Sequence, residues 1–118
     1  MSNMYIRTKD GRIAEVKENM VIKRCSENVL RLVYKDNRSI CVLTGNDDII
    51  KQSENIEELC DRFVVMDKET KEVMNIVSFL EYAKLWATCK YNIYGAVWCE
   101  WGLKYVARMN DKGDLELI

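Results

Sequence analysis

Histidine and proline are both missing from this chain of 118 residues. Without histidine it lacks the commonest general base, the commonest metal ligand and every Ser-His or Cys-His nucleophile pair. Glycine is scarce as well. The five, at 11, 45, 95, 102 and 113, are too scattered for a P-loop or a dinucleotide fingerprint. Cysteine also occurs five times, at 25, 41, 60, 89 and 99, an odd count with no two within three residues of each other. That argues against a disulfide framework and a zinc knuckle. The thiols read as buried and reduced. No stretch approaches the roughly 20 apolar residues of a membrane span, and "MSNMYIRTKDGR" has no apolar run of a signal peptide. The expectation is an intracellular, non-enzymatic protein with no cofactor and no metal.

What is present is the composition of a folded globule: 48% hydrophobic and 31% charged residues. The length suits one domain spanning 1–118. Net charge is −1 but uneven: +4 over residues 1–45, −5 over 46–75 and zero over 76–118. The basic third either meets phosphates or is a solvated sheet face. A dedicated nucleic-acid binder would carry a more basic balance, so DNA or RNA is not the expected partner.

Four segments share one turn grammar: "TKDGR" (8–12), "YKDNR" (34–38), "CEWGL" (99–103) and "NDKGD" (110–114). Each places Gly or Asn third in a three-residue loop, the position that needs a left-handed backbone. Each is therefore a β-hairpin with a defined register. The first pairs Met4 with Val16 and Ile6 with Ala14. The second pairs Tyr34 with Arg38, Leu32 with Ile40 and Leu30 with Val42. With "MVIKR" (20–24) between them, the first 45 residues read as a five-stranded antiparallel meander.

The middle reads as helical. "NIEEL" (55–59) places Asn55 at an N-cap with Glu58 three residues on, a capping-box pattern, and "RFVVM" (62–66) follows as a strand. "DKETKE" (67–72) is a polar loop. "SFLEYAKLWATCKYN" (78–92) carries a second capping box, Ser78 with Glu81, and predicts a long helix. Its polar stripe is narrow and the rest is apolar, more than one sheet can cover. A homo-oligomer follows as an expectation. The fold class expected is α+β: an N-terminal antiparallel meander, one short and one long helix, and a C-terminal hairpin or meander.

The C-terminal hairpin, paired Cys99 to Leu103, puts Val97 opposite Tyr105, Gly95 opposite Ala107 and Ile93 opposite Met109 on an apolar face. The other face pairs Trp98 with Lys104, Ala96 with Val106 and Tyr94 with Arg108, with Glu116 beyond Arg108. An aromatic beside a cation is how proteins hold a base and its phosphates. The alternative is internal: Arg108 pairs with Glu116, and Trp98 only covers Lys104.

"MYIRTKDGRIAEV", "IIKQSENIEELCD", "YGAVW" and "GLKYVARMNDKGDLELI" resemble segments of short phage and prophage proteins, in order and spacing over nearly the whole chain. Among characterised phage proteins of this size, the chain resembles the Thoeris anti-defence sponge family. That resemblance implies a homo-oligomer that binds, without cleaving, the cyclic ADP-ribose-type signal made by TIR enzymes, in the host cytoplasm. It implies an N-terminal sheet followed by two helices, so the β-rich C-terminus departs from it. It implies a pocket at a subunit interface built from an aromatic ring, arginines and an asparagine. Carried over, these are Phe79 or Tyr82, Asn92, Arg108 and Arg24. Each has a plain alternative: Phe79 as core, Asn92 as a helix C-cap, Arg24 as a solvated charge. Tyr94, Trp98 and Lys104 join them from the aromatic–cationic face.

Two functions compete with an enzyme far behind. One is sequestration of a cyclic nucleotide signal. The other is a phage inhibitor acting by protein–protein binding, such as an anti-CRISPR protein, with acidic residues Asp47, Asp48, Glu57, Glu58 and Asp61 mimicking nucleic acid. The enzyme would be a metal hydrolase using Asp47 and Asp48, but adjacent carboxylates after Thr44 more often favour a helix start.

Overall fold

A computed structural model describes residues 3–27, 29–35 and 49–118. Contacts cluster into two compact units, residues 1–55 and 56–118. The described residues form a mostly-β protein, with ten strands in three sheets and short helices only. This corrects the α+β expectation.

In the first unit, β1 (Met4–Thr8) pairs antiparallel with β2 (Ile13–Val16), joining Met4 to Val16 and Ile6 to Ala14 as the turn grammar requires. Gly11, at φ +87°, supplies the left-handed residue of that turn. The Asp10 carboxylate accepts from Arg12 Nε at 3.0 and 3.1 Å and from the Thr8 hydroxyl. Burial raises its pKa, but the bonds from Arg12 and Thr8 and the Arg12 charge outweigh it and hold it below the usual value.

Among the described residues a continuous meander does not form. β3 (Met20–Ser26) and β4 (Val29–Tyr34) make a separate two-stranded sheet, while β5 (Ile49–Ser53) returns to the free edge of β1. Ile6, Leu32 and Ile49 are its buried centre, flanked by Ala14, Val16, Met20, Ile22 and Leu30. Pairing across more than forty residues leaves no local signature, whereas hairpins do. The turn at 34–38, its partner strand with Ile40 and Val42, and Thr44, Asp47 and Asp48 lie outside the described residues.

The second unit is one antiparallel sheet. After α1 (Ile56–Leu59) come β6 (Arg62–Asp67), β7 (Val73–Val77), α2 (Leu80–Ala83), a 3-10 turn (Lys84–Trp86), β8 (Tyr91–Cys99), β9 (Gly102–Met109) and β10 (Leu115–Leu117). Their order is β10-β9-β8-β6-β7. The long helix over 78–92 is overturned: α2 ends at Ala83, and residues from Tyr91 onward join the sheet. Phe79 occupies the N-cap with no side-chain bond, so the expected capping box is absent. A lone helix shorter than about 12 residues has little stability of its own, so tertiary contacts decide its length. Here Leu80 and Ala83, with Trp86 packed beside them, cover Phe63, Val65 and Ile93. β7 has no counterpart among the elements expected from the sequence.

The β6–β7 turn is held by Asp67. Its Oδ1 accepts from the Thr70 and Glu69 N–H groups at 3.0 and 2.8 Å, while Lys71 takes φ +64°. Those bonds stabilise the carboxylate and lower its pKa from 3.8. Its stabilisation is complete above that value and is lost as the pH falls through the lower folded one. Asp67→Asn keeps an acceptor but no charge. Urea midpoints should therefore separate the two proteins at neutral pH and converge at strongly acidic pH; a constant gap would contradict this.

Beneath α1 the sheet has no room. A Cβ built on Gly95 would lie 2.7 Å from Cys60 Sγ and 3.5 Å from the Ala107 Cβ. Gly95→Ala should destabilise by about 1–3 kcal/mol through overpacking. Cys60→Ala removes the sulfur and should recover more than half of that in the double mutant. Simple additivity in urea titrations would show that the contact is not the cause.

Candidate ligand-binding site

The site is set by one surplus residue. β8 and β9 turn through Glu100 and Trp101 alone, so Cys99 pairs with Gly102, at φ +115°, rather than with Leu103. Trp98 then faces Leu103, and Val97 faces Lys104. The three-residue loop expected here is therefore corrected to two residues. The pairing steps from Ala96–Tyr105 to Gly95–Ala107, leaving Val106 as a bulge. Below the bulge the expected pairs return, Gly95 with Ala107 and Tyr94 with Arg108.

A one-residue slip moves every side chain to the other face. Tyr105, expected in the core, is 36% exposed and stacks on Tyr94, with ring centroids 5.0 Å apart and planes 14° from parallel. Lys104 moves to the face away from Trp98, so the expected Trp98–Lys104 pair does not form. Val106 and Ala107 are buried in succession. The bulged Val106 carbonyl accepts from the Ile118 N–H at 3.1 Å, which anchors the end of the chain beside the site.

Strand register lines up Ile76, Val64, Tyr94, Arg108 and Glu116 across all five strands. At the Arg108 end lies a groove of ≈ 360 Å³ lined by Tyr94, Arg108, Asn110, Glu116, Leu117 and Ile118. Asn110 organises it. Its Oδ1 accepts from the Lys112 and Asp114 N–H groups at 2.9 and 3.0 Å, and its Nδ2 donates to Glu116 Oε1 at 2.8 Å. Glu116 is thus held by an amide. Arg108 has no hydrogen-bond or ion-pair partner among the described residues. The expected alternative, an Arg108–Glu116 pair, is not formed.

Trp98, beyond Tyr105 on the same face, donates its backbone N–H to Asp61 Oδ2 at 2.7 Å. That bond extends the β6–β8 ladder past Arg62 and gives Asp61 a structural task. Asn92 sits opposite Met66, two residues from Tyr94 on the same face. Phe79 and Tyr82 do not join the groove. They form an exposed edge-to-face pair at 5.8 Å on the helical turn that covers the opposite face. Arg24 belongs to the first unit and donates to the Glu27 carbonyl at 2.6 Å. Of the expected residues, Tyr94 and Arg108 line the groove, with Trp98 and Asn92 on its face.

Asn110, Tyr105 and the terminal Leu117 and Ile118 were not expected here. Asn110 was read only as a turn residue. The signal for Tyr105 was the "YVAR" run, whose adjacent small apolar residues break strict alternation as a bulge does.

Another groove, of ≈ 440 Å³, lies in the first unit against Met4, Leu30, Ile49, Ile50, Lys51 and Gln52. It offers one cation and no aromatic ring. Among the described residues no group of three or more Cys, Asp or Glu side chains is placed to hold a metal ion. Among the described residues the two carboxylates with lowered pKa, Asp10 and Asp67, are turn residues, and neither lines the Arg108 groove. No helix among the described residues is long and apolar enough to cross a membrane. No known protein family, curated protein or solved structure matches the chain.

Asn110→Ala should lower stability by about 1 kcal/mol through lost turn bonds. It also frees Glu116 to approach Arg108. The NMR signal of the Arg108 Nε–H should then shift, while Asn110→Asp should keep both turn bonds and most of the stability.

Proposed function

We propose that this protein binds and holds a cyclic nucleotide signal of the cyclic ADP-ribose type without cleaving it, as a phage anti-defence protein in the host cytoplasm. The observation that carries this reading is an Arg108 without a hydrogen-bond or ion-pair partner among the described residues, beside the stacked Tyr94–Tyr105 pair at the rim of a groove. A guanidinium matches phosphate in charge and geometry, and an aromatic pair offers a stacking surface for a base. The resemblance to the Thoeris sponge family narrows the class of anion to the cyclic ADP-ribose type. Sequestration needs complementarity alone, which suits a chain with no histidine.

The test incubates the protein with cyclic ADP-ribose isomers and a panel of cyclic di- and trinucleotides, isolates the complex by size, heats it and weighs what is released. One intact nucleotide per site is expected. Arg108→Ala should weaken binding at least about 10-fold, the scale of a lost charged hydrogen bond. Tyr94→Ala should act similarly through lost stacking. A cleaved product, or no retention of any nucleotide in the panel, would overturn the proposal.

A second reading has its own observation. Trp101 at the β8–β9 tip is 92% exposed, with exposed Trp98 nearby in the same hairpin, and tryptophan is the commonest anchor of protein interfaces. An inhibitor that binds a host protein, of the anti-CRISPR kind, would lose its partner on Trp101→Ala, whereas nucleotide retention would be unchanged. The acidic-mimic version of that reading is weakened because Asp61 is engaged with the Trp98 N–H.

A further inference from the structure

β7 is an edge strand: in the sheet order it has β6 on one side and no strand on the other among the described residues. Monomeric proteins blunt such edges with charge, proline or very short strands, because unpaired N–H and C=O groups recruit another strand. β7 has neither charge nor proline; its one irregularity is a bulge at Met74, where the pairing with β6 steps from Val65–Asn75 to Met66–Val73. Its five residues, Val73-Met74-Asn75-Ile76-Val77, carry no charge and no proline. The opposite edge, β10, is three residues long and carries Glu116.

The segment is also close to a palindrome about Asn75. Turned by a two-fold axis and laid antiparallel on itself, it brings Asn75 against the partner's Asn75, Met74 against the partner's Ile76, and Val73 against the partner's Val77. Glu72 then meets the partner's Ser78, so no like charges oppose each other across 72–78. Each apolar residue finds an apolar residue, and the two amides offer each other a donor and an acceptor. In the single chain the Ile76 N–H is bonded at 2.9 Å to Asn75 Oδ1, a neighbouring side chain standing in for a strand.

The surface beside the edge has the same character. Val73, Met74 and Ile76 on β7, with Phe79, Tyr82 and Leu85 on the turn that follows, are 43% to 81% exposed. Register puts Ile76 on the Tyr94 face and the turn covers the opposite face, so exposed apolar residues flank the edge on both faces of the sheet.

We propose that the occupant of this edge is a second copy of the chain, forming a two-fold dimer in which β7 pairs with the partner's β7 and the two sheets join into one of ten strands. The groove at Arg108 lies toward the other end of the sheet, so dimerisation and ligand retention are separable.

Sedimentation of the full chain over a concentration series should give twice the monomer mass. Ile76→Lys puts like charges into the joint and should weaken self-association at least about 30-fold while circular dichroism stays unchanged. Asn75→Cys should give, on mild oxidation, a disulfide between residue 75 of two copies, identified by peptide mass. The second variant decides the matter if the first fails to fold. A monomer at every concentration, a dimer unaffected by Ile76→Lys, or a dimer of Asn75→Cys without the 75–75 link would each overturn the proposal.

Discussion

The bulge at Val106 governs the second unit. Above it, β8 and β9 run in the register of a two-residue turn; below it, they run in a register shifted by one. Because strand side chains alternate, that single surplus residue decides which face Tyr105 occupies. It places the ring on Tyr94 instead of in the core, and lets Val106 and Ala107 both be buried. It also orients the Val106 carbonyl to the Ile118 N–H, which seats the end of the chain at the groove. Without the bulge, the stacked rings, Arg108 and the groove wall would not share a surface.

The opposite face of the same sheet is governed by close approach. Gly95 lets Cys60 lie against the centre of β8, and Asp61, the next residue, bonds the Trp98 backbone. The chain leaving α1 is therefore fixed to β8 both by contact and by hydrogen bond. Leu80, Ala83 and Trp86 complete the cover. A helix over 78–92 would have consumed Tyr91 and Asn92, the first two residues of β8, and Tyr91 packs against the core. The over-apolar character of residues 79–90 is real, but the structure expresses it as an exposed turn beside an uncharged edge strand.

The two faces thus divide the labour. One carries a stacked aromatic pair, a guanidinium without a hydrogen-bond or ion-pair partner among the described residues, and an asparagine whose amide holds Glu116. The sheet thus has a polar end with Arg108, Asn110 and Glu116 at β9–β10 and an uncharged edge strand at β7. The proposed ligand binding at one end would draw on charge and stacking, and the proposed pairing at the other on strand hydrogen bonds and apolar burial.

Hairpins with Gly at the third loop position were legible from residues alone. "TKDGR" and "NDKGD" place Gly11 and Gly113 at φ +87°, and the β1–β2 register follows residue by residue. The pairing of Tyr94 with Arg108 was legible too, as were strand β6 and the short α1. These features depend on interactions within a few residues, which local sequence encodes. What only the tertiary structure decided was non-local: the return of β5 to β1, the truncation of α2, the bulge that moved Tyr105 and Lys104, and the capture of Glu116 by Asn110. The return of β5 and the truncation of α2 rest on packing with strands distant in sequence, and the bulge and the Asn110–Glu116 bond rest on the fit of neighbouring strands, which the short turn patterns do not encode.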